Sequence, residues 1–202
     1  MKIDPRTLLA TASLVCTSCV SVDQPYPERR YFVLDVTRPD LAPTAIEAST
    51  PPTVVLQRLR VSPAFESRGL VYANADGSFE SDYYNEFFLS PGAMLTVELG
   101  EWLDASGLFA HVVDAASQID GRLVLEGTVT KLYGDFTGDD VEAVLGLQVF
   151  LVDRDEPDTV QFHAEYEERR PARDGAPDEL VAGWNEALSA VLTRLEADLS
   201  DR

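Results

Sequence analysis

Apolar and polar residues alternate along several short stretches of the chain and recur at helical spacing along two longer ones. In 31–36, for example, Phe32, Leu34 and Val36 fall on one face of an extended chain, and Tyr31 and Val33 fall on the other. This period of two residues is typical of strands with one buried side. The alternating stretches predict strands over 31–36, 54–61, 69–74, 79–89, 108–113, 123–130, 141–151 and 159–168.

The two helical stretches each begin at a proline. Ser90 is placed to cap the first helix, Pro91 suits its first turn, and Gly107 ends it. The second helix begins at Pro177, and acidic residues such as Asp178 favour the positive end of its dipole. The apolar stripes are Leu95, Leu99, Trp102 and Leu103 in the first helix, and Leu180, Trp184, Leu188, Val191, Leu192, Leu195 and Leu199 in the second.

Turn signals connect the strands into hairpins. Asp76-Gly77 separates two extended stretches, and the polar stretch 153–158 separates two more. The chain therefore runs twice through strands followed by a helix. This order predicts an α+β fold with a mainly antiparallel sheet of about eight strands and two amphipathic helices packed on one face.

The N-terminus has the organisation of an export signal. Basic residues open it, an apolar stretch of residues 8–15 follows, and the small residues Thr17 and Ser18 precede Cys19. We expect residues 1–18 to be a lipoprotein signal peptide that is cleaved between Ser18 and Cys19, so that Cys19 carries the lipid. The apolar stretch is far shorter than the ~20 residues that cross a bilayer as a helix.

Two alternatives for this segment stay open. One is a cleaved secretory signal without a lipid. The other is a redox or zinc pair made by Cys16 and Cys19, although zinc needs further ligands and the chain offers only the isolated His111 and His163. Residues 19–30 are predicted to be a lipidated, flexible tether, because they contain Pro25 and few apolar side chains. Residues 31–202 then form a single domain.

The composition excludes several function classes. The 202 residues include 35 acidic and 16 basic ones, for a net charge of −19, so nucleic acid is excluded as a partner and anionic lipid surfaces repel the body. Both cysteines lie in the predicted signal, which excludes disulfides and a catalytic thiol in the body. None of the common nucleotide-binding or hydrolase motifs occurs. We therefore expect a protein that is not an enzyme and that binds no cofactor or metal.

Carboxylates provide the remaining chemical alternatives. Asp82 and Glu86 would form the acid/base pair of a periplasmic hydrolase if their segment were helical, but the surrounding aromatic residues favour a strand. An acidic run could bind Ca²⁺, although it lacks EF-hand spacing and a solvated loop is the alternative that we favour. Its members are Asp135, Asp139, Asp140 and Glu142.

Aromatic residues concentrate in and around the first hairpin. Alternation along one strand would separate Phe79, Tyr83 and Phe87 from Tyr84 and Phe88. One set would then pack in the core and the other would face a partner or a lipid, unless both sides of the sheet are covered. The candidate partner surface is Tyr72, Tyr84 and Phe88.

Several short patterns between residues 61 and 112 occur together. They are Val61-x-Pro63-x-Phe65, Gly69-Leu70-Val71-Tyr72, Asp82-Tyr83-Tyr84-Asn85-Glu86-Phe87-Phe88, Pro91-x-x-Met94-Leu95, Trp102-Leu103 and Ser106-Gly107-x-Phe109-x-x-Val112. With the export signal, Tyr31-Phe32-x-Leu34 and the C-terminal helix, the set resembles the ABC-transport auxiliary lipoproteins of the PqiC type. The resemblance covers nearly the whole chain from Tyr31 onward.

This resemblance implies an outer-membrane lipoprotein that faces the periplasm. It would work beside an ABC transporter and its periplasmic MCE-domain subunit, in lipid transport between the membranes of a Gram-negative cell. Val20 follows Cys19, which is consistent with outer-membrane sorting. The alternative is a scaffold or regulatory lipoprotein in lipopolysaccharide export or wall synthesis. The number of assembled copies stays open, a homo-oligomer included.

Overall fold

One mixed sheet and two helices form the body of the chain in the computed structural model, which describes residues 28–39 and 51–202. The strands are β1 (Arg30–Phe32), β2 (Thr53–Leu56), β3 (Arg60–Val61), β4 (Gly69–Asn74), β5 (Phe79–Phe87), β6 (His111–Asp114), β7 (Leu123–Phe136), β8 (Glu142–Asp153) and β9 (Glu156–Pro171). The helices are α1 (Pro91–Ser106) and α2 (Pro177–Ser200). The predicted α+β class and the two strands-then-helix units are confirmed.

The long strand β7 organises the sheet. On one side it pairs in succession with β2, β3 and β4, and on the other side it pairs with β8 along almost its whole length. β9 continues the sheet beyond β8, while β5 and then β1 continue it beyond β4. In the described part of the chain the sheet thus has nine strands, with β1 and β9 at opposite edges.

The prediction of a mainly antiparallel sheet is wrong. β1 runs parallel to β5, β2 runs parallel to β6 and β7, and β3 and β4 also run parallel to β7. Among the strands of the described residues, only the hairpin neighbours β4–β5, β7–β8 and β8–β9 are antiparallel. Parallel neighbours need a long crossover between them, and α1 supplies it here between the early strands and β6–β7. Turn signals in a sequence reveal hairpins but not such crossovers.

Both helices cover the same face of the sheet. Leu95 and Leu99 of α1 meet Leu188 and Leu192 of α2 around a cavity of about 10 Å³, whose floor includes Leu145 of β8. The apolar stripes predicted for the two helices are buried throughout. The hydrophobic core therefore lies between one face of the sheet and the two helices.

Residues 34–38 lie between the two helices and not along the edge of the sheet. The backbone N–H of Val36 donates to the Glu98 carboxylate of α1 at 2.9 Å, and that of Asp35 donates to Asn185 Oδ1 of α2 at 3.1 Å. Glu98 and Asn185 thus accept the backbone hydrogen bonds that a neighbouring strand would otherwise accept. The predicted strand over 31–36 is therefore too long, because β1 ends at Phe32.

Two further local predictions are corrected. The predicted strand 54–61 is interrupted between β2 and β3, because the chain shifts there from one part of β7 to the next. Ser90 precedes α1, but its hydroxyl accepts a hydrogen bond from Arg58 Nη2 at 2.9 Å and caps no helical N–H. The end of α1 is as predicted, since Gly107 has the left-handed φ of 76° that favours glycine.

Candidate functional site

The predicted partner residues Tyr72, Tyr84 and Phe88 occupy two different environments. Tyr84 and Phe88 are exposed, whereas Tyr72 is half-buried. The Tyr72 ring packs edge-on against Phe136, and its hydroxyl donates to Asp82 Oδ2 at 2.8 Å. Burial, followed by this contact with a carboxylate, raises the pKa of Tyr72 far above its usual range. Tyr72 is therefore engaged with Asp82 and Phe136 inside the fold. Of the three predicted partner residues, only Tyr84 and Phe88 are exposed.

A large bulge in β5 presents the aromatic residues. Gly69 of β4 pairs with Glu86, but Val71 pairs with Ser81, so a step of two residues in β4 faces a step of five in β5. Such an insertion breaks the alternation of faces. Phe79 and Tyr83 are consequently exposed although Phe87, predicted to share their face, is buried against Trp184.

Asp82 holds this bulge together. Its Oδ1 accepts the backbone N–H groups of Tyr84 at 2.8 Å and Asn85 at 3.0 Å. Its Oδ2 accepts the Asn85 side-chain amide and the Tyr72 hydroxyl, both at 2.8 Å. Partial burial alone would raise the pKa of Asp82, but these four hydrogen bonds lower it below its usual value. Asp82 is therefore ionised, and its carboxylate holds the bulged segment of β5 that carries Tyr83 and Tyr84.

The proposed acid/base pair of Asp82 and Glu86 is therefore not assembled. Asp82 is directed toward the bulge, while Glu86 lies in a strand and pairs with Arg68 at 3.2 Å and with Arg29 at 3.7 Å. A general acid needs a raised pKa and access to its substrate. Asp82 does not meet the first condition, because internal hydrogen bonds lower its pKa.

The outer face of the β1–β5 pair is apolar and exposed. β1 pairs with β5 in the register Tyr31 to Glu86 and Phe32 to Phe87, so that Tyr31 and Phe88 point away from the core. Their ring centroids lie 6.3 Å apart in an edge-to-face arrangement. Tyr31 and Val33 are each 49% exposed, Phe88 is 59% exposed and Tyr83 is 64% exposed. These exposures confirm the predicted separation of faces in 31–36, because Tyr31 and Val33 are exposed whereas Leu34 is buried.

Two arginines lie among these aromatic rings. The Arg29 guanidinium is 4.1 Å from the centroid of the Tyr83 ring, and that of Arg68 is 5.4 Å from the Tyr31 ring. Both pair with Glu86, so two positive charges share one carboxylate. We refer to the whole group as the aromatic–arginine surface, which consists of Arg29, Tyr31, Val33, Arg68, Tyr83, Tyr84, Glu86 and Phe88.

Sequence reasoning missed the arginines of this surface. Arg29 and Arg68 precede strands in separate parts of the chain, and they meet only because β1 lies beside β5. The signal that could have indicated Tyr31 and Val33 was the alternation in 31–36. No local pattern could have indicated Arg68, because its partner Glu86 lies across the hairpin.

Two members of the acidic run near residue 138 are paired with an arginine. Asp135 and Glu142 both accept hydrogen bonds from Arg169 Nη1, at 2.8 and 3.1 Å. The Thr137 hydroxyl also donates to Asp135 Oδ1, at 2.6 Å, and this bond, which outweighs partial burial, lowers the pKa of Asp135 together with Arg169. These two carboxylates thus share the single positive charge of Arg169, which lies on β9.

The other sequence candidates add no site to the described body. Among residues 28–39 and 51–202, no three His, Cys, Asp or Glu side chains come together as a metal would require. In the same ranges no helix combines the length and the apolar composition of a membrane span. Ser18, Cys16 and Cys19 lie outside the described residues.

Comparison with known proteins identifies the fold. No protein-family model and no curated protein matches the chain. A crystal structure of a DUF330-family protein from Xanthomonas campestris is similar at 16% identity with a TM-score of 0.67, over 81% of this chain and 89% of that one. A crystal structure of an uncharacterized protein is similar at 14% identity with a TM-score of 0.66, over 85% and 99%.

A lipoprotein from Neisseria meningitidis is also similar, at 13% identity over 73% of this chain and 99% of that one. Its TM-score of 0.38 establishes no common fold. The two similarities above 0.6 extend over almost the whole described body. The body of this chain therefore has the fold of the DUF330-family protein.

Proposed function

We propose that this chain is an outer-membrane lipoprotein, anchored through Cys19, that serves as a non-enzymatic auxiliary component of an ABC transporter. Its partner would be the periplasmic MCE-domain subunit of a system that moves lipids between the two membranes. The DUF330 fold supports this proposal, as does the resemblance of the residue pattern to PqiC-type lipoproteins.

The observation that carries the proposal is the aromatic–arginine surface. Asp82, the carboxylate beside this surface, accepts four internal hydrogen bonds, while the rings of Tyr83 and Phe88 are exposed. Exposed aromatic side chains beside arginines are typical of a surface that contacts another molecule, whether a protein or a membrane. Such a surface suits an adaptor held near a membrane.

The first test is the chemistry of the mature N-terminus. The full chain with a C-terminal affinity tag is expressed in its own host, extracted from membranes and examined by mass spectrometry. We expect a diacylglyceryl-modified Cys19 at the N-terminus. Cys19→Ala should release the protein from membranes, whereas the matched variant Cys16→Ala should stay anchored. An unmodified wild-type chain would overturn the anchor.

The second test is capture of the partner. After crosslinking in cells, the tagged wild-type protein should enrich an MCE-domain subunit relative to an unrelated tagged lipoprotein. Genes for an ATPase, a permease and an MCE protein beside this one would agree with that result. Capture of lipopolysaccharide-export or wall-synthesis proteins in place of an MCE subunit would favour the scaffold function.

A further inference from the structure

We propose that the aromatic–arginine surface docks onto the phospholipid headgroups of the membrane that carries the anchor. This inference rests on the proposed function, because it takes Cys19 to be the lipidated residue. It goes beyond that function by naming what this face of the body binds. The docked body would have β1 and β5 against the bilayer and β9 away from it.

The position of the surface relative to the anchor is the first reason. Arg29 belongs to the surface, and it lies only ten positions after Cys19 in the chain. Their Cα atoms cannot lie more than about 36 Å apart even in a fully extended chain. The anchored chain therefore enters the folded body at this surface.

The side-chain types are the second reason. Tyrosine rings favour the boundary between headgroups and acyl chains, where an apolar body and a polar tip are both accommodated. Arginine extends its guanidinium toward lipid phosphates while its methylene stem packs on apolar groups. Phe88 and Val33 supply the apolar contact here, Tyr83 supplies an amphipathic ring, and Arg68 supplies the phosphate contact.

The charge distribution agrees with docking at this face. The whole chain carries a net charge of −19, which opposes approach to anionic lipids. At the aromatic–arginine surface, however, Arg29 and Arg68 share the single carboxylate of Glu86, which leaves a local excess of one positive charge. Acidic repulsion at this face is thus weaker than the net charge of the chain implies, and zwitterionic headgroups present both a phosphate for the arginines and no net charge to repel the body.

The size of the surface favours a membrane over a protein partner. Stable protein interfaces take about 20–30 residues from each side, whereas this surface has eight. A small patch suffices when an anchor already holds it beside its target, because tethering supplies a high effective concentration. Weak, multiple contacts with headgroups then determine only the orientation of the body.

The absence of cysteine from the mature body beyond Cys19 permits a site-specific probe. Val33→Cys introduces one within the surface and leaves every aromatic residue in place. Val160→Cys is the matched control, because Val160 is 53% exposed and lies on β9 at the opposite edge of the sheet. Five strand spacings between β1 and β9 correspond to about 24 Å.

Each lipidated full-length variant is labelled with an environment-sensitive fluorophore and reconstituted into phosphatidylcholine vesicles. Quenching is measured with nitroxide-labelled phosphatidylcholine and, separately, with aqueous iodide. We expect the probe at residue 33 to be quenched several-fold more by the lipid than the probe at residue 160, and less by iodide. Equal quenching of the two probes would overturn the docking proposal.

A second set of variants tests the side chains. Tyr84→Ser with Phe88→Ser, added to Val33→Cys, should reduce lipid quenching to the level of the control probe, whereas Ile119→Ser, at another exposed apolar residue, should not. If the double variant has lost its cooperative thermal transition, Tyr83→Ser replaces it. Unchanged lipid quenching in folded variants would contradict a role for these rings.

The outcomes separate this inference from the proposed function. If mass spectrometry finds an unmodified N-terminus and the protein does not float with vesicles, both fail. If Cys19 is lipidated but the residue 33 probe stays open to iodide, only docking fails. Protection of that probe by a purified MCE-domain subunit without vesicles would assign the surface to a protein and would overturn membrane docking.

Discussion

Arg38 and Glu196 form a bidentate ion pair that joins the N-terminal segment to α2. Arg38 Nε donates to Glu196 Oε2 at 2.9 Å, and Arg38 Nη2 donates to Oε1 at 2.6 Å. Their side chains are only 10% and 7% exposed. The indole N–H of Trp102 donates to the same carboxylate at 2.9 Å, so the pair also connects α1 to α2.

Removal of Arg38 should therefore be strongly destabilising. Arg38→Ala leaves Glu196 as a buried carboxylate without its main counter-ion, which we expect to lower the free energy of unfolding by about 3–5 kcal/mol. Arg173→Ala is the control, since that side chain is 86% exposed and lies 4.0 Å from Glu179. The control should change stability by less than about 1 kcal/mol. Urea denaturation measures both, and equal losses would contradict a structural role for the pair.

Asp82 should be essential to the bulge in β5. Asp82→Ala deprives four donors of their acceptor, and we expect a loss of about 2–3 kcal/mol in the free energy of unfolding. Hydrogen exchange at the amides of Tyr84 and Asn85 should accelerate at the same time. Asp104→Ala, at an exposed position on α1, is the control and should leave both measurements unchanged. An Asp82 variant with normal stability and exchange would show that other contacts hold the bulge.

The same residue predicts a pH dependence. Although partial burial opposes it, hydrogen bonding lowers the pKa of Asp82 in the folded protein below the 3.8 of an unperturbed carboxyl. The unfolded chain therefore takes up this proton first as the pH falls, and the stability contributed by the carboxylate is present above about pH 4 and is lost below it. The difference in unfolding free energy between wild type and Asp82→Asn should be constant from pH 7 to 5 and should shrink between pH 4 and 3. A difference that grew in that window would contradict the direction of the shift.

Gly183 of α2 allows the helix to approach β8 closely. A Cβ atom at this position would lie 2.7 Å from the Cβ of Ala143, a contact that neither residue can relieve by rotation. Alanine normally stabilises a helix interior by about 1 kcal/mol relative to glycine, but overpacking of this kind costs about 1–3 kcal/mol. We expect Gly183→Ala to lower the thermal midpoint. Gly138→Ala, whose nearest neighbour would be 3.7 Å away, should not, and a stabilised Gly183→Ala protein would contradict the close contact.

The helices show how much a sequence pattern can predict. The stripe from Leu180 to Leu199 was expected to be buried and is buried, because a helix with one apolar face must cover it. The first hairpin was likewise predicted by Asp76-Gly77, where Gly77 has a φ of 83°. These features depend on residues close together in the chain.

The candidate site could be predicted only in part. Tyr84 and Phe88 are exposed as predicted, whereas Tyr72, which lies on β4, is half-buried. The predicted alternation of the aromatic residues in β5 assumes a regular strand, and the bulge between Ser81 and Glu86, which depends on where the Asp82 carboxylate finds its donors, breaks it. The pairing of Arg68 with Glu86 depends on the same hairpin register.

The sequence by itself determined the order of elements, the buried faces of the helices and the separation of Tyr31 and Val33 from Phe32 and Leu34, because each of these follows from the period of apolar residues along one segment. Only the tertiary structure decided which strands run parallel, where residues 34–38 lie, and that Arg38 meets Glu196, 158 residues away. Those features depend on which distant groups satisfy the hydrogen bonds and charges of a segment, and short-range periodicity carries no information about distant partners.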